Sequence, residues 1–326
     1  MTGRAARAGP AVPTAATTDA VPALLAGLGA LVGAGAGVLG WSLVEARWYA
    51  LREATVPVLE PGAAPLRVLH VSDLHLTPTQ RDKVAWVRDL GSLEPDLVVD
   101  TGDNWAHPQA LPALLEALDP LLERPGVFVM GSNDYFGPVA KNPARYLRPA
   151  RRSAAPPKEK RELPVEDMRR AFARAGWIDL DNARGTLMLR GTRLDLVGTD
   201  DAHIDRDRFP ERTAAPEGLQ VGVTHAPYTR VLRRMQEDGV RLALAGHTHG
   251  GQLALPVRGA LVTNCDLDTR RAKGLHGWPG ARPDGPGGEG SMWLHVSAGL
   301  GTSPYTPVRF ACRPEATLLT LVPRVR

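Results

Sequence analysis

Five short segments concentrate the side chains that can hold a cation or move a proton. They are Asp73-Leu74-His75, Gly102-Asp103-Asn104, Gly131-Ser132-Asn133-Asp134, Thr224-His225 and Gly246-His247-Thr248-His249-Gly250-Gly251. Asp and His together suit Zn, Mn or Fe, because neutral imidazole nitrogens and hard carboxylate oxygens are both good donors to these ions. A carboxylate can also join two metals, and Asp103 is the candidate for that place. Two divalent ions ~3.5–4 Å apart hold a hydroxide between them at neutral pH and clamp both ends of an in-line phosphoryl displacement. Glycines at 102, 131, 246 and 250 permit tight turns and let the main chain approach an anion closely. Taken singly, most of these segments are weak signals: Asp-x-His is common in loops, and Gly-Asp is ordinary turn chemistry. The Gly-His-Thr-His-Gly-Gly run is stronger, because a packed core has no need for two imidazoles in a glycine-rich turn.

The elements around these segments fit that chemistry. Apolar runs at 66–71, 96–100, 126–130, 219–224 and 241–245 each precede one of the five segments, and 194–197 is a further strand candidate. Helical patterns at 108–122 and 228–237 lie between them. Strands alternating with helices predict βαβ units, in which ligands gather at the carboxyl ends of the strands. Residues 138–163, with Pro143, Pro149, Pro156 and Pro157, read as an insertion, and 282–290 as a Gly/Pro-rich loop.

Composition bounds the rest. The 326 residues are 43% hydrophobic with a formal net charge of +4, enough for one large α/β domain with a sizeable core. Nucleic acid is not an expected partner, because there is no basic stripe interleaved with aromatics. The dense basic run at 148–161 is broken by prolines and reads as a solvated loop. Cys265 and Cys312 lack zinc-finger spacing. They read as buried thiols, or as a disulfide only if they meet in an oxidising compartment.

Residues 1–19 have no periodic apolar pattern and are expected to be disordered, whereas 20–44 contain no charged residue. As a helix that stretch would span ~37 Å, enough to cross a ~30 Å hydrocarbon core. Its glycines suit a membrane helix, and Trp41, Trp48 and Tyr49 sit where an interfacial belt would lie. Length favours a single-pass anchor in the cell membrane over a cleaved signal peptide or a flexible Ala/Gly arm. Arg4 and Arg7 before it and Arg47 and Arg52 after it leave the orientation undecided. Residues 45–65 read as a linker and 66–326 as the catalytic domain.

The five segments, in this order, resemble the motifs of the calcineurin-like metallophosphoesterase superfamily. The membrane-associated bacterial phosphodiesterase branch, with its apolar N-terminus, is the most similar part of it. The resemblance covers about residues 66–322. It implies an α/β four-layer sandwich, two mixed β-sheets flanked by helices, and two divalent metal ions (Mn, Zn or Fe). It further implies one metal on Asp73, His75, Asp103 and His249, and the other on Asp103, an asparagine, His225 and His247. The expected activity is hydrolysis of a phosphate ester, more specifically a diester, on a lipid or envelope substrate, by a hydroxide between the metals. The alternative is a catalytically weak metal-binding or scaffolding protein of the same fold. No protein partner is implied.

One departure bears on mechanism. The third motif of the family reads Gly-Asn-His-Asp or Gly-Asn-His-Glu; here it is Gly131-Ser132-Asn133-Asp134. Without a gap, Ser132 takes the ligand position and Asn133 replaces the histidine. With a shift of one, Asn133 is the ligand and Asp134 replaces the histidine. The amide oxygen favours Asn133. The histidine that protonates the leaving group is missing either way, so Asp134 and His203, which follows Asp200-Asp201, are the candidate acids. Arg309 reads as a phosphate contact or a structural salt bridge, and His70 as a strand residue packed in the core.

Overall fold

The computed structural model describes residues 20–139 and 162–324. The disordered segment expected at 1–19 and most of the insertion expected at 138–163 lie outside the described residues. Ser42–Arg326 forms one compact unit, and Met1–Trp41 is assigned to a separate one. Helix α1, Ala20–Glu45, carries no acidic or basic residue in its first or last turn other than Glu45 itself. Its stretch Leu28–Glu45 is long and apolar enough to cross a membrane, with most of its surface exposed.

In chain order the compact unit then contains β1 (Ala50–Leu59), β2 (Leu66–Val71), α2 (Arg81–Asp89), β3 (Leu97–Asp100), α3 (Leu111–Leu122), β4 (Gly126–Phe128) and the single turn α4 (Ser132–Tyr135). Next come α5 (Val165–Arg174), β5 (Ile178–Asp179), β6 (Arg184–Leu189), β7 (Thr192–Thr199), β8 (Leu219–Thr224), α6 (Thr229–Glu237) and β9 (Leu242–Ala245). A short hairpin of β10 (Ala254–Leu255) and β11 (Gly259–Ala260) precedes β12 (Gly274–Trp278), β13 (Met292–Val296) and β14 (Glu315–Pro323). The two large sheets are ordered β1-β14-β2-β3-β4-β5 and β12-β13-β9-β8-β7-β6. Both are mixed: β2, β3, β4 and β5 run parallel, as do β7, β8, β9 and β13, while β14 is antiparallel to β2 and β12 to β13.

Alternation along the strands builds four layers. Val68, Leu97, Val99 and Val127 of the first sheet meet Leu196, Val221, Val223 and Leu244 of the second in a common core. Their neighbours Leu69, Val71, Val98 and Phe128 point the other way, onto α2, α3 and α5. Val197, Ala243 and Leu294 likewise pack outward against Val231, Leu232 and Met235 of α6. Successive strand side chains face opposite sides, so a strand buried on both faces must be apolar at nearly every position. The runs predicted at 66–71 and 219–224 coincide with β2 and β8, and the others with β3, β4, β7 and β9 to within a few residues.

Residues 45–65 are not a plain linker. They carry β1, which pairs in parallel with β14 along its length, Ala50 opposite Glu315. β1 can hold Pro57 because an edge strand tolerates a residue with no N–H, and the register shifts between Pro57 and Leu59. Cys265 and Cys312 are both buried and unbridged, which excludes the disulfide.

Candidate metal centre

Both sheets deliver side chains to one edge. Asp73 and His75 follow β2, Asp103 follows β3, and Asn133 lies in α4 after β4. From the second sheet, His203 follows β7, His225 follows β8, and His247 and His249 follow β9. The edges are stitched together by main chain. Asp73 N–H donates to Gly102 O (2.8 Å), His75 N–H to Asp103 O (2.9 Å), and Gly246 N–H to His225 O (2.9 Å). The His247 N–H crosses between sheets to Asp73 Oδ2 (3.0 Å).

The backbone here is strained. Asp73 (φ 50°), His75 (44°), Asp103 (58°), His247 (69°) and His249 (50°) all adopt the left-handed region. Non-glycine residues rarely enter it, and such strain persists only where the surroundings fix the geometry.

Two sets of donors converge. Asp73, His75 and His249 form one group and Asp73, Asp103 and His225 the other, with the ligand atoms of each group within 4.8 Å of one another. Asp103 Oδ2 lies 3.5 Å from His75 Nε2 and 3.6 Å from His225 Nε2, so one oxygen faces an imidazole from each sheet. His75 Nε2 and His249 Nε2 are 3.2 Å apart, and His247 Nδ1 is 3.3 Å from His225 Nε2. Asn133 donates its main-chain N–H to Asp103 Oδ1 (2.7 Å) and its amide to Asp103 Oδ2 (2.6 Å). Asn133, rather than Ser132, therefore reaches Asp103. Turning its amide over would present the oxygen to the same point.

A cation fits this arrangement. Asp73 Oδ1 is buried without a hydrogen-bond partner, which is costly unless a positive charge faces it. Paired imidazole nitrogens face each other without an acceptor between them, as they would if their lone pairs shared an ion. Burial, with His75 and Arg309 nearby, holds His249 well below the usual histidine range. Burial also lowers His247, reinforced by His203 and His225, and brings His75 down to about 4. Neutral imidazoles are the form a metal requires. His225 differs: burial would lower it, but Asp103, Asp201 and Asp73 outweigh that and push it up to about 10. Its Nδ1–H donates to Thr101 O (2.7 Å), which aims Nε2 at the carboxylates, where a cation would replace the proton.

The remaining expected residues fall into different places. His203 is half-buried, with its ring centroid 4.6 Å from that of His247 and its Nδ1 3.1 Å from Tyr228 Oη. Asp134 does not reach the open side of the site. It is fully buried, and its carboxylate accepts the main-chain N–H groups of Asp103, Asn104 and Gly131 at 2.7–2.9 Å. That placement corrects the expectation of an acid: Asp134 fixes two motif turns and has no oxygen directed at a leaving group. Arg309 is corrected too. It is fully buried and donates to the carbonyls of Ala298, Gly299, Gly301 and His249. It is a strap under the loops, neither a phosphate contact nor a salt bridge.

Sequence reading missed a buried chain of hydrogen bonds behind Asp73. Ser72 Oγ donates to Asp73 Oδ2 (2.6 Å), and Thr101 Oγ1 donates to Ser72 Oγ (2.7 Å). With the Thr101 proton so placed, His70 Nε2, 3.0 Å away, must donate to Thr101. His70 Nδ1 must then accept from His295 Nδ1 at 2.8 Å. Burial keeps His70 well below the usual range and lowers His295 to about 3, so each ring carries the single proton this direction needs. No motif spacing announces such hydroxyls. The one available signal was a histidine, His70, inside an otherwise apolar strand.

With that geometry in view, the comparisons decide the family. Residues 66–251 match the model of the calcineurin-like phosphoesterase family. The chain belongs to that family. It is thus a phosphoesterase of the hydrolase class whose relatives use divalent metals. It is 26% identical over 284 residues to the phosphodiesterase YaeI of Escherichia coli (strain K12), covering 85% of this chain and 90% of the relative. An uncharacterized metallophosphoesterase of Bacillus subtilis (strain 168), YkuE, is 23% identical over 290 residues, 86% of each chain. A Bos taurus transmembrane protein with metallophosphoesterase domain is 27% identical over 220 residues, 63% of this chain and 45% of that one.

Gly246 tests how tightly this metallophosphoesterase packs its centre. A Cβ there would lie 2.0 Å from Ser72 Oγ and 2.6 Å from Asp73 Oδ2. Gly246→Ala is expected to displace Asp73 and weaken metal affinity ~10–100-fold, the usual effect of disturbing a ligand's support. Metal titration of the variant checks this; unchanged affinity would show that Asp73 Oδ2 is not held for an ion.

Proposed function

We propose that the protein hydrolyses phosphodiesters at a two-metal centre, on a substrate carried by a membrane or cell envelope. Asp73, His75, Asp103 and His249 would hold one ion, and Asp103, Asn133, His225 and His247 the other. The observation that carries this reading is the position of Asp103 Oδ2, between His75 Nε2 at 3.5 Å and His225 Nε2 at 3.6 Å. When bound, the two ions supply Lewis acidity toward the phosphoryl oxygens and activate water near neutral pH. The protein's own residues orient and hold protons. His225 is fixed by the Thr101 carbonyl, and Asp73 by Ser72 and the His247 amide. His203, whose ring lies against that of His247, would give a proton to the departing oxygen.

The preference for a diester is supported by the relative named a phosphodiesterase. Initial rates with bis(p-nitrophenyl) phosphate and p-nitrophenyl phosphate, each with manganese, test it: the diester should be turned over faster. A preference for the monoester would overturn the reading. Absence of turnover on either, with two ions bound, would favour the scaffolding alternative.

The anchor reading rests on the stretch 20–44, which contains no charged residue, and on the transmembrane relative. Because the compact unit begins at Ser42, removing residues 1–41 should release a soluble chain that keeps its metals and its rate on the aryl diester. Glu45 must stay, since its carboxylate accepts the N–H groups of Ala311 and Cys312 at 3.0 and 2.7 Å. Sedimentation and rate assays of the shortened chain check this; aggregation despite added metal would place the boundary elsewhere.

A further inference from the structure

The hairpin that follows the last histidine motif has no apparent reason to be apolar. Leu253, Leu255, Val257 and Leu261 are all exposed, as is Tyr305 in the neighbouring loop. Val257, at the tip, is wholly exposed with φ 71°, a conformation that costs a β-branched residue dearly. The charge pattern is equally one-sided. In a chain with 35 Asp and Glu, none occurs at 251–265 or 297–314, whereas Arg258 stands beside Val257. Exposed apolar side chains rimmed by polar residues mark contact surfaces, and the absence of acids suits an anionic one.

The hydrogen bonds say where this surface lies. Residues 309–312 form a common seam. On one side they meet the last turn of α1: Arg309 N–H donates to Ser42 O (3.0 Å), and Glu45 accepts from Ala311 and Cys312. On the other side they meet the hairpin root: Phe310 N–H donates to Gln252 O (3.1 Å), and Ala254 N–H to Phe310 O (2.9 Å). The hairpin root is therefore about two strand spacings, roughly 10 Å, from the end of the apolar helix. His249 adjoins the same seam, its carbonyl accepting from Arg309 Nη1 at 3.3 Å.

We propose that the hairpin spanning residues 252–261 inserts its apolar tip into the surface of an anionic phospholipid bilayer, holding the mouth of the metal centre against lipid headgroups. The inference rests on α1 being a membrane anchor and on the phosphodiesterase reading of the site. A membrane helix places its terminal Trp and charged residues at the headgroup level, which brings a structure roughly 10 Å away within reach of the interface. Leu255 and Val257 then enter the acyl boundary, Arg258 meets the headgroup phosphates, and a phosphodiester reaches the metals without leaving the membrane surface.

The test places an environment-sensitive fluorophore on Val257→Cys in the full chain, reconstituted into phosphatidylcholine–phosphatidylglycerol vesicles. Ala214→Cys, in the exposed loop before β8, serves as the control; Cys265 and Cys312 are buried and do not label. The Val257 probe is expected to lose about half of its emission or more to a lipid nitroxide set at a shallow acyl depth, and to be shielded from aqueous iodide. The Ala214 probe should show the reverse. Quenching of the Val257 probe by iodide would overturn the proposal. Shielding from both quenchers would overturn it too, and would name a protein, such as a second copy, as the occupant. Turnover plays no part in this measurement. Lipid quenching in a chain inactive on every phosphodiester would sink the functional reading alone, and iodide quenching in an active chain would sink the hairpin alone.

Discussion

His249→Ala and His247→Ala should each remove a metal ligand and nearly abolish hydrolysis. Metal-borne charge stabilisation is worth several kcal/mol, so kcat/KM for an activated aryl diester is expected to fall ~10²–10⁴-fold. His249 Nε2 stands 3.2 Å from His75 Nε2 and 3.5 Å from Asp73 Oδ1. Bound metal should fall with activity, and raising the manganese concentration should restore part of the rate if the site is weakened rather than lost. Alanine in the left-handed backbone of His249 could by itself disturb the turn, so His249→Asn, which tolerates that conformation, is the paired control. It keeps the backbone but cannot reach as far, and it should also lose metal. Full activity and unchanged metal content in all these variants would refute the assignment.

The second large effect concerns the leaving group. The third motif, Gly131-Ser132-Asn133-Asp134, contains no histidine, and Asp134 is fully engaged with main-chain amides. His203, 4.6 Å from His247 by ring centroids and close to the Tyr228 hydroxyl, is the remaining candidate. Loss of a general acid typically costs ~10²–10⁴-fold. His203→Ala should therefore slow alkyl phosphodiesters by about that factor while sparing aryl diesters, whose leaving groups depart without a proton. A KM change shared by both substrates, with kcat unaffected, would mean that His203 only shapes the pocket. No change on either, with efficient alkyl turnover in the parent chain, would leave solvent as the proton source.

What the sequence made legible divides along physical lines. Asp73, His75, Asp103, His225, His247 and His249 could be singled out because each sits within a few residues of an apolar run. A strand ending in a glycine-rich turn has few purposes other than display. The two-sheet architecture followed from the family resemblance, not from periodicity. β1 was hidden because Pro57 and charged residues on its outer half look like a connector. Its identity depends on β14, some 260 residues later, and no local pattern reports a pairing of that range. Ser72, Thr101, His70 and His295 were hidden for a related reason. They work through hydrogen bonds across three separate segments, and serine or threonine at a strand end is usually unremarkable. The choice between Ser132 and Asn133 is one of register, which the local sequence leaves open; in the structure Asn133 is the one that hydrogen-bonds Asp103.

The two-ion centre is tested most directly by counting metal in the full chain, purified without chelator, incubated with manganese and freed of excess by gel filtration. Elemental analysis is expected to give two divalent ions per chain in the parent protein, since Asp103 faces histidines from both sheets. One tightly held ion, or none, in a folded chain that still hydrolyses the aryl diester would contradict the shared-carboxylate centre.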